Sequence, residues 1–169
     1  MKTDPIGIIL EDNFQLDKKV YFISGNETTL MEKISQSILE KYRKNKNIEI
    51  YKIDSIENFL DETSLFENQK IYLGRSCKGI NENNLNKIIK SNAVFIFIEQ
   101  NSQKLKIVKK FLINNKNAYV IDCYELDKNS KIKILNKHLE TRKMKMPQDI
   151  FWFLVDKLDN RYAFLEAGL

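Results

Sequence analysis

Cysteine, proline, glycine, arginine and histidine are all scarce in these 169 residues. Two cysteines, Cys77 and Cys123, have no CxxC spacing and no neighbouring histidine, which excludes a disulfide scaffold and a Cys/His zinc site. Two prolines and five glycines leave no room for a flexible linker, so the chain reads as regular elements joined by short polar turns. No apolar run approaches the ~18 residues that a membrane span requires; the longest, Ala93 to Ile98, is strand-sized. Asp4, Glu11 and Asp12 stand where a secretory signal would need its apolar core, and the expectation is a reduced, cytoplasmic protein. Against these shortages stand 24 lysines, 18 asparagines and 22 isoleucines. The net charge of +5 therefore comes from lysine and not from arginine, which is present four times. Arginine is the side chain that grips phosphates and bases in two places at once. The charge permits weak association with DNA and does not predict a sequence reader.

Strand and helix patterns alternate from residue 19 onward. Lys19 to Ser24 is β-branched and aromatic and stops at Gly25, and a helix with Leu30, Ile34, Ile38 and Tyr42 on one face follows, capped by Asn26 or Thr28. Further strands are expected at Ile48 to Ile53, Gln69 to Leu73, Val94 to Ile98 and Ala118 to Ile121. Helices are expected near Ile56, over Asn84 to Lys90 and over Leu105 to Leu112. Val94 to Ile98 is apolar on both faces, as a central parallel strand is. This alternation predicts a doubly wound α/β domain over residues 1–126. Helices are then expected over Lys128 to Arg142, from Pro147 to Leu158 and from Arg161 onward, forming the start of a second, helical unit at 127–169.

The turn Gly25-Asn26-Glu27-Thr28 occupies the place of a phosphate loop, after the first strand and opening a helix. A working loop needs GxxxxGK[ST], with amides to cradle phosphate, a lysine for the β- and γ-phosphates and a hydroxyl for magnesium. The second glycine and the lysine are missing, no Gly-Lys pair exists in the chain, and Glu27 adds a negative charge. Glu99, closing an apolar strand, is a single carboxylate where a metal-holding strand end would be. His138 lies mid-helix, and neither cysteine has a local pattern that would pair with it. The Phe151-Trp152-Phe153 cluster reads as core or helix-packing surface. Leu65-Phe66 is out of character, because two large apolar residues stand inside a connection bounded by Asp61, Glu62, Glu67 and Lys70. They are either a staple folded onto the sheet or an exposed plug for a partner's pocket.

The strand ending YFISGNE, the segment ETSLFENQKIYL, then VFIFIEQ, SQKLKIVKKFL and AYVIDCYEL, stand in an order that resembles the delta subunit of bacterial DNA polymerase III. That subunit opens the sliding clamp in DNA replication. The likeness spans about residues 19 to 169, and SLF is its most specific part. It implies a RecA-like domain of the AAA+ clamp-loader type with an eroded phosphate loop, followed by the start of a small helical lid. The rest of the lid and the collar domain would lie outside these residues, since members are about twice this length. Leu65 and Phe66, with Ser64 and Thr63 before them, would enter the cleft of the beta sliding clamp; Thr63 stands where the family often has an apolar residue. The implied partners are the clamp, the gamma/tau and delta prime subunits of the loader and, weakly, DNA. No cofactor and no catalytic residue are implied in this chain, although the polymerase holoenzyme it serves is a nucleotidyltransferase. The competing reading is an NTP-hydrolysing α/β enzyme with an unusual phosphate loop. A receiver-like domain would need carboxylates at the end of the first strand, where Ser24-Gly25-Asn26 stands.

Overall fold

A computed structural model describes residues 1–45, 48–60, 70–100 and 103–169. Its centre is a six-stranded, wholly parallel sheet. The strands are β1 (Lys2–Thr3), β2 (Val20–Gly25), β3 (Ile50–Ser55), β4 (Ile71–Lys78), β5 (Val94–Gln100) and β6 (Ala118–Cys123), in the order β1-β6-β2-β5-β4-β3. The helices are α1 (Pro5–Leu10), α2 (Thr28–Asn45), α3 (Ile56–Leu60), α4 (Glu82–Lys90), α5 (Gln103–Ile113), α6 (Lys128–Arg142), α7 (Gln148–Lys157) and α8 (Tyr162–Ala167).

Alternation along each strand divides the core in two. Tyr21, Ile23, Leu73, Ile96 and Ile121 point to one side, where they meet Ile6 and Ile8 of α1, Leu30, Ile34 and Ile38 of α2, Ile134 of α6 and Leu165 of α8. Val20, Phe22, Tyr72, Phe95, Phe97 and Val120 point to the other, against Ile56 of α3, Leu85 and Ile88 of α4, and Val108 and Leu112 of α5. Both faces are covered, so the central strands are apolar over most of their length and turn polar at their carboxyl ends. This is the layered α/β architecture that the alternation predicts.

Three features differ from expectation. β1 and α1 precede the first expected strand; Asp4 caps α1 by accepting from the Ile6 amide at 3.0 Å, and Pro5 suits its first turn. β4 runs on to Lys78 through Ser76, whose φ of 48° is unusual for a residue with a Cβ. On α7, Trp152 and Phe153 are 41% and 59% exposed, so this pair belongs to the surface and not to the core. The helices beyond Asp127 are nonetheless attached to the same core, since Ile134, Tyr162 and Leu165 are buried in the cluster that holds Tyr21 and Leu30.

Candidate functional site

β2 ends against β6 more closely than any side chain would allow. A Cβ built on Gly25 would lie 1.8 Å from the carbonyl oxygen of Cys123. That oxygen accepts from the amides of Asn26 and Glu27 at 3.1 and 3.2 Å. In a phosphate loop such amides point at the ligand; here two of them are turned onto the neighbouring strand.

The next turn carries an anion of its own. Thr28 begins α2, and the buried carboxylate of Glu27 accepts a short bond from the Leu30 amide in the third helical position. Thr29 Oγ1 lies 2.8 and 3.0 Å from the two carboxylate oxygens. Oxyanions collect at helix N-termini because unpaired amides and the helix dipole both favour negative charge. Glu27 fills that position from within the chain. It thereby replaces Asn26 and Thr28, both exposed, as the capping residue. Glutamate is not a usual cap, but its extra methylene lets it reach back to the third amide from a strand end pinned on Cys123.

The opposite wall is equally occupied. Glu99 Oε1 accepts from the Cys77 amide at 2.7 Å, and this bond holds the kinked end of β4. Burial pushes the Glu99 carboxyl above its ordinary value, and the Cys77 amide draws it partly back. Ser24, Glu99 and Asp122 stand in register across β2, β5 and β6. The Ser24 hydroxyl is buried without a hydrogen-bond partner. Asp122 is desolvated, but ion pairs to Lys2 at 2.8 Å and Lys109 at 3.0 Å overcome this and hold it below the ordinary range. Among the described residues no group of three or more His, Cys, Asp or Glu could hold a metal ion.

Beside the loop, a groove of about 250 Å³ runs between Thr28 and Glu32 of α2, Arg75 and Ser76 of β4, and Gln100. Its guanidinium is engaged: Arg75 grips Glu32 with both arms, one at 2.6 Å, and that hydrogen-bonded pairing lowers the Glu32 carboxyl. The thiols are no nucleophiles, because burial pushes Cys77 up to about 11 and Cys123 up to about 12. His138 of α6 is half-buried beside a groove that Lys137 and Arg142 also line. Gly25, Asn26, Glu27 and Thr28 form the turn from β2 into α2. Thr63, Ser64, Leu65 and Phe66 lie outside the described residues. The elements on either side of them are fixed: Phe59 of α3 packs edge-on against Tyr72 of β4 and Phe95 of β5, at 4.8 Å from each ring. Sequence reasoning missed the link from Thr29 Oγ1 to the Ala163 amide of α8, at 3.1 Å across 134 positions. No local pattern signals so distant a bond.

β2 lies between β6 and β5, with β4 and β3 beyond and the loop-to-helix turn at its carboxyl end, and this fold has counterparts among solved structures. The Bacillus subtilis DNA clamp loader delta protein superposes with a TM-score of 0.58 at 16% identity, over 89% of this chain and 51% of that one. AMPPCP-bound DnaA from Aquifex aeolicus gives 0.54 at 16% identity, over 96% of this chain and 57% of that one. The fold is that of a RecA-like AAA+ domain. The chain spans about half the length of the clamp loader protein, 51%. No family model and no curated protein matches the sequence. No helix among the described residues is long and apolar enough to cross a membrane.

Proposed function

We propose that this AAA+ domain is part of a delta-type clamp-loader subunit, which binds the beta sliding clamp through Leu65 and Phe66 and favours its open form without hydrolysing ATP. The observation that carries the reading is the Glu27 carboxylate on the first turn of α2, in the position that a nucleotide phosphate takes in an ATP-using AAA+ domain. A domain that keeps the fold and fills its own phosphate position works by binding. The SLF segment at Ser64 to Phe66 supplies the binding element. Residues 1–126 form the α/β domain of this subunit, and 127–169 begin its lid. Gamma/tau and delta prime subunits are the further partners, with DNA touched weakly through lysine.

Mechanically, no bond is made or broken. Two apolar side chains entering a cleft on the clamp stabilise the strained or open ring over the closed one, and only that difference in affinity moves the equilibrium. Capture of the sliding clamp of the same organism on the immobilised chain tests the reading. Retention of the clamp by the wild-type chain, together with a melting temperature unmoved by Mg-ATP, is the expected result. Magnesium-dependent turnover by the purified chain would establish the NTP-hydrolysing alternative instead.

A further inference from the structure

The link between the loop and α8 is a chain of bonds with a buried anion at its centre. The Ala163 amide donates to Thr29 Oγ1 at 3.1 Å. A hydroxyl has one proton to give, and with both Glu27 oxygens at 3.0 Å or less it gives it there. The same carboxylate accepts from the Leu30 amide. The first turn of α8 is therefore joined to the first turn of α2 through two side chains of the loop. Bonds to a charged acceptor are the stronger kind, and linked bonds polarise one another. Other contacts flank the chain: the Leu126 amide donates to the Asn160 carbonyl at 2.7 Å, Lys33 pairs with Glu166 at 2.7 Å, and Tyr162 and Leu165 are buried.

We infer that Glu27 and Thr29 form a permanent latch that seats α8 and its neighbours on the α/β layer. The attitude of the C-terminal helices is then set by the chain's own carboxylate and not by a ligand arriving at the loop. The inference rests on the reading that this loop takes no nucleotide. It goes beyond a simple cap, because a cap secures only its own helix. Removal of the Thr29 hydroxyl would disturb α2 if Glu27 were a cap alone, and α8 if Glu27 and Thr29 act as a latch.

Hydrogen exchange on the full chain separates these. In Thr29→Val, which keeps the shape and loses the hydroxyl, amides 161–167 should exchange about tenfold faster, with β2 and β5 unchanged. Glu27→Gln retains an acceptor for Leu30 and Thr29 and should give a smaller acceleration in the same peptide. Lys33→Gln, which breaks the exposed ion pair to Glu166 and the contact of the ammonium with the Tyr162 ring at 5.7 Å, should accelerate it less than Thr29→Val does. Unchanged exchange of α8 in Thr29→Val would overturn the latch, as would an acceleration spread evenly over the sheet. Mg-ATP added to the wild-type chain tests the underlying reading separately: protection of residues 24–30 would show that the loop takes nucleotide, whatever Thr29→Val does.

Discussion

Two residues at the carboxyl end of the sheet have opposite kinds of constraint. Gly25 is constrained by space. A methyl group there would overlap the Cys123 carbonyl, which also holds the Asn26 and Glu27 amides. Gly25→Ala should therefore separate β2 from β6 at that end and cost about 3 kcal/mol or more in urea denaturation. Glu99 is constrained by charge. Its carboxyl is raised by burial above the 4.5 of an ordinary glutamate, so the folded chain favours its protonated form more than the unfolded chain does. Its favourable contribution is present below that value and is lost as pH rises through the folded one. In Glu99→Gln an amide oxygen still accepts from the Cys77 amide, and no charge develops. The variant should gain stability relative to the wild-type chain between about pH 4 and about pH 7. Glu32, Asp122 and Asp127 have lowered values and the opposite trend, but they are common to both chains and cancel in the comparison. Urea midpoints at the two pH values check it. A difference that does not change with pH would mean that burial has not shifted the group.

Among the elements, α6 shows where the periodic pattern is informative and where it stops. The pattern places Ile132, Leu135 and Leu139 on one face; the buried set is Lys131, Ile134 and Leu135. The lysine is inside because α7 ends against it. Lys131 Nζ donates to the Leu158 carbonyl at 2.6 Å and the Val155 carbonyl at 3.4 Å, meeting the negative end of that helix. Lys131→Met keeps the apolar stem and deletes the donor, leaving two carbonyls without it. It should cost about 1–3 kcal/mol in thermal or urea denaturation. A loss near zero would mean that water replaces the ammonium. The central strands were legible because a strand covered on both faces is mostly apolar, as Val94 to Ile98 is, and β3 through the alternation of apolar and polar residues over Ile48 to Ile53. The early β1 and α1 were not, since two and six residues carry no usable period. The end of β4 was not either: the apolar run stops at Leu73, and the strand continues because Gly74 and Arg75 pair with β5 and the Glu99 carboxylate holds the Cys77 amide. Of the two readings of Trp152 and Phe153, core or helix-packing surface, their exposure excludes the first, since amphipathic spacing identifies an apolar face without saying what covers it. At the loop, the missing lysine was legible and the role of Glu27 was not. A negative charge can be read from the sequence, but its seat on the Leu30 amide depends on how Gly25 docks on Cys123.

At the scale of the whole molecule, the core among the described residues consists of two apolar layers around one sheet. α3 before this segment is anchored by Phe59 on Tyr72 and Phe95, and β4 after it is paired on both sides, to β3 and β5. In the sequence, Leu65 and Phe66 belong to the segment that joins these two elements. The double variant Leu65→Ala, Phe66→Ala distinguishes the two roles that an apolar pair can have there. As a partner's anchor, it should leave the urea midpoint nearly unchanged, because exposed substitutions cost within about 0.5 kcal/mol. Clamp affinity should fall by at least roughly 30-fold, since an anchoring residue is worth about 2 kcal/mol or more. As a staple on the sheet, the pair should cost about 2–5 kcal/mol of stability for each residue lost. Clamp affinity per folded molecule would then be unaltered. Both quantities are read on one protein, so a loss of stability cannot be mistaken for a loss of binding. If the variant melts early and still binds the clamp as the wild-type chain does, Leu65 and Phe66 are not the clamp-binding element.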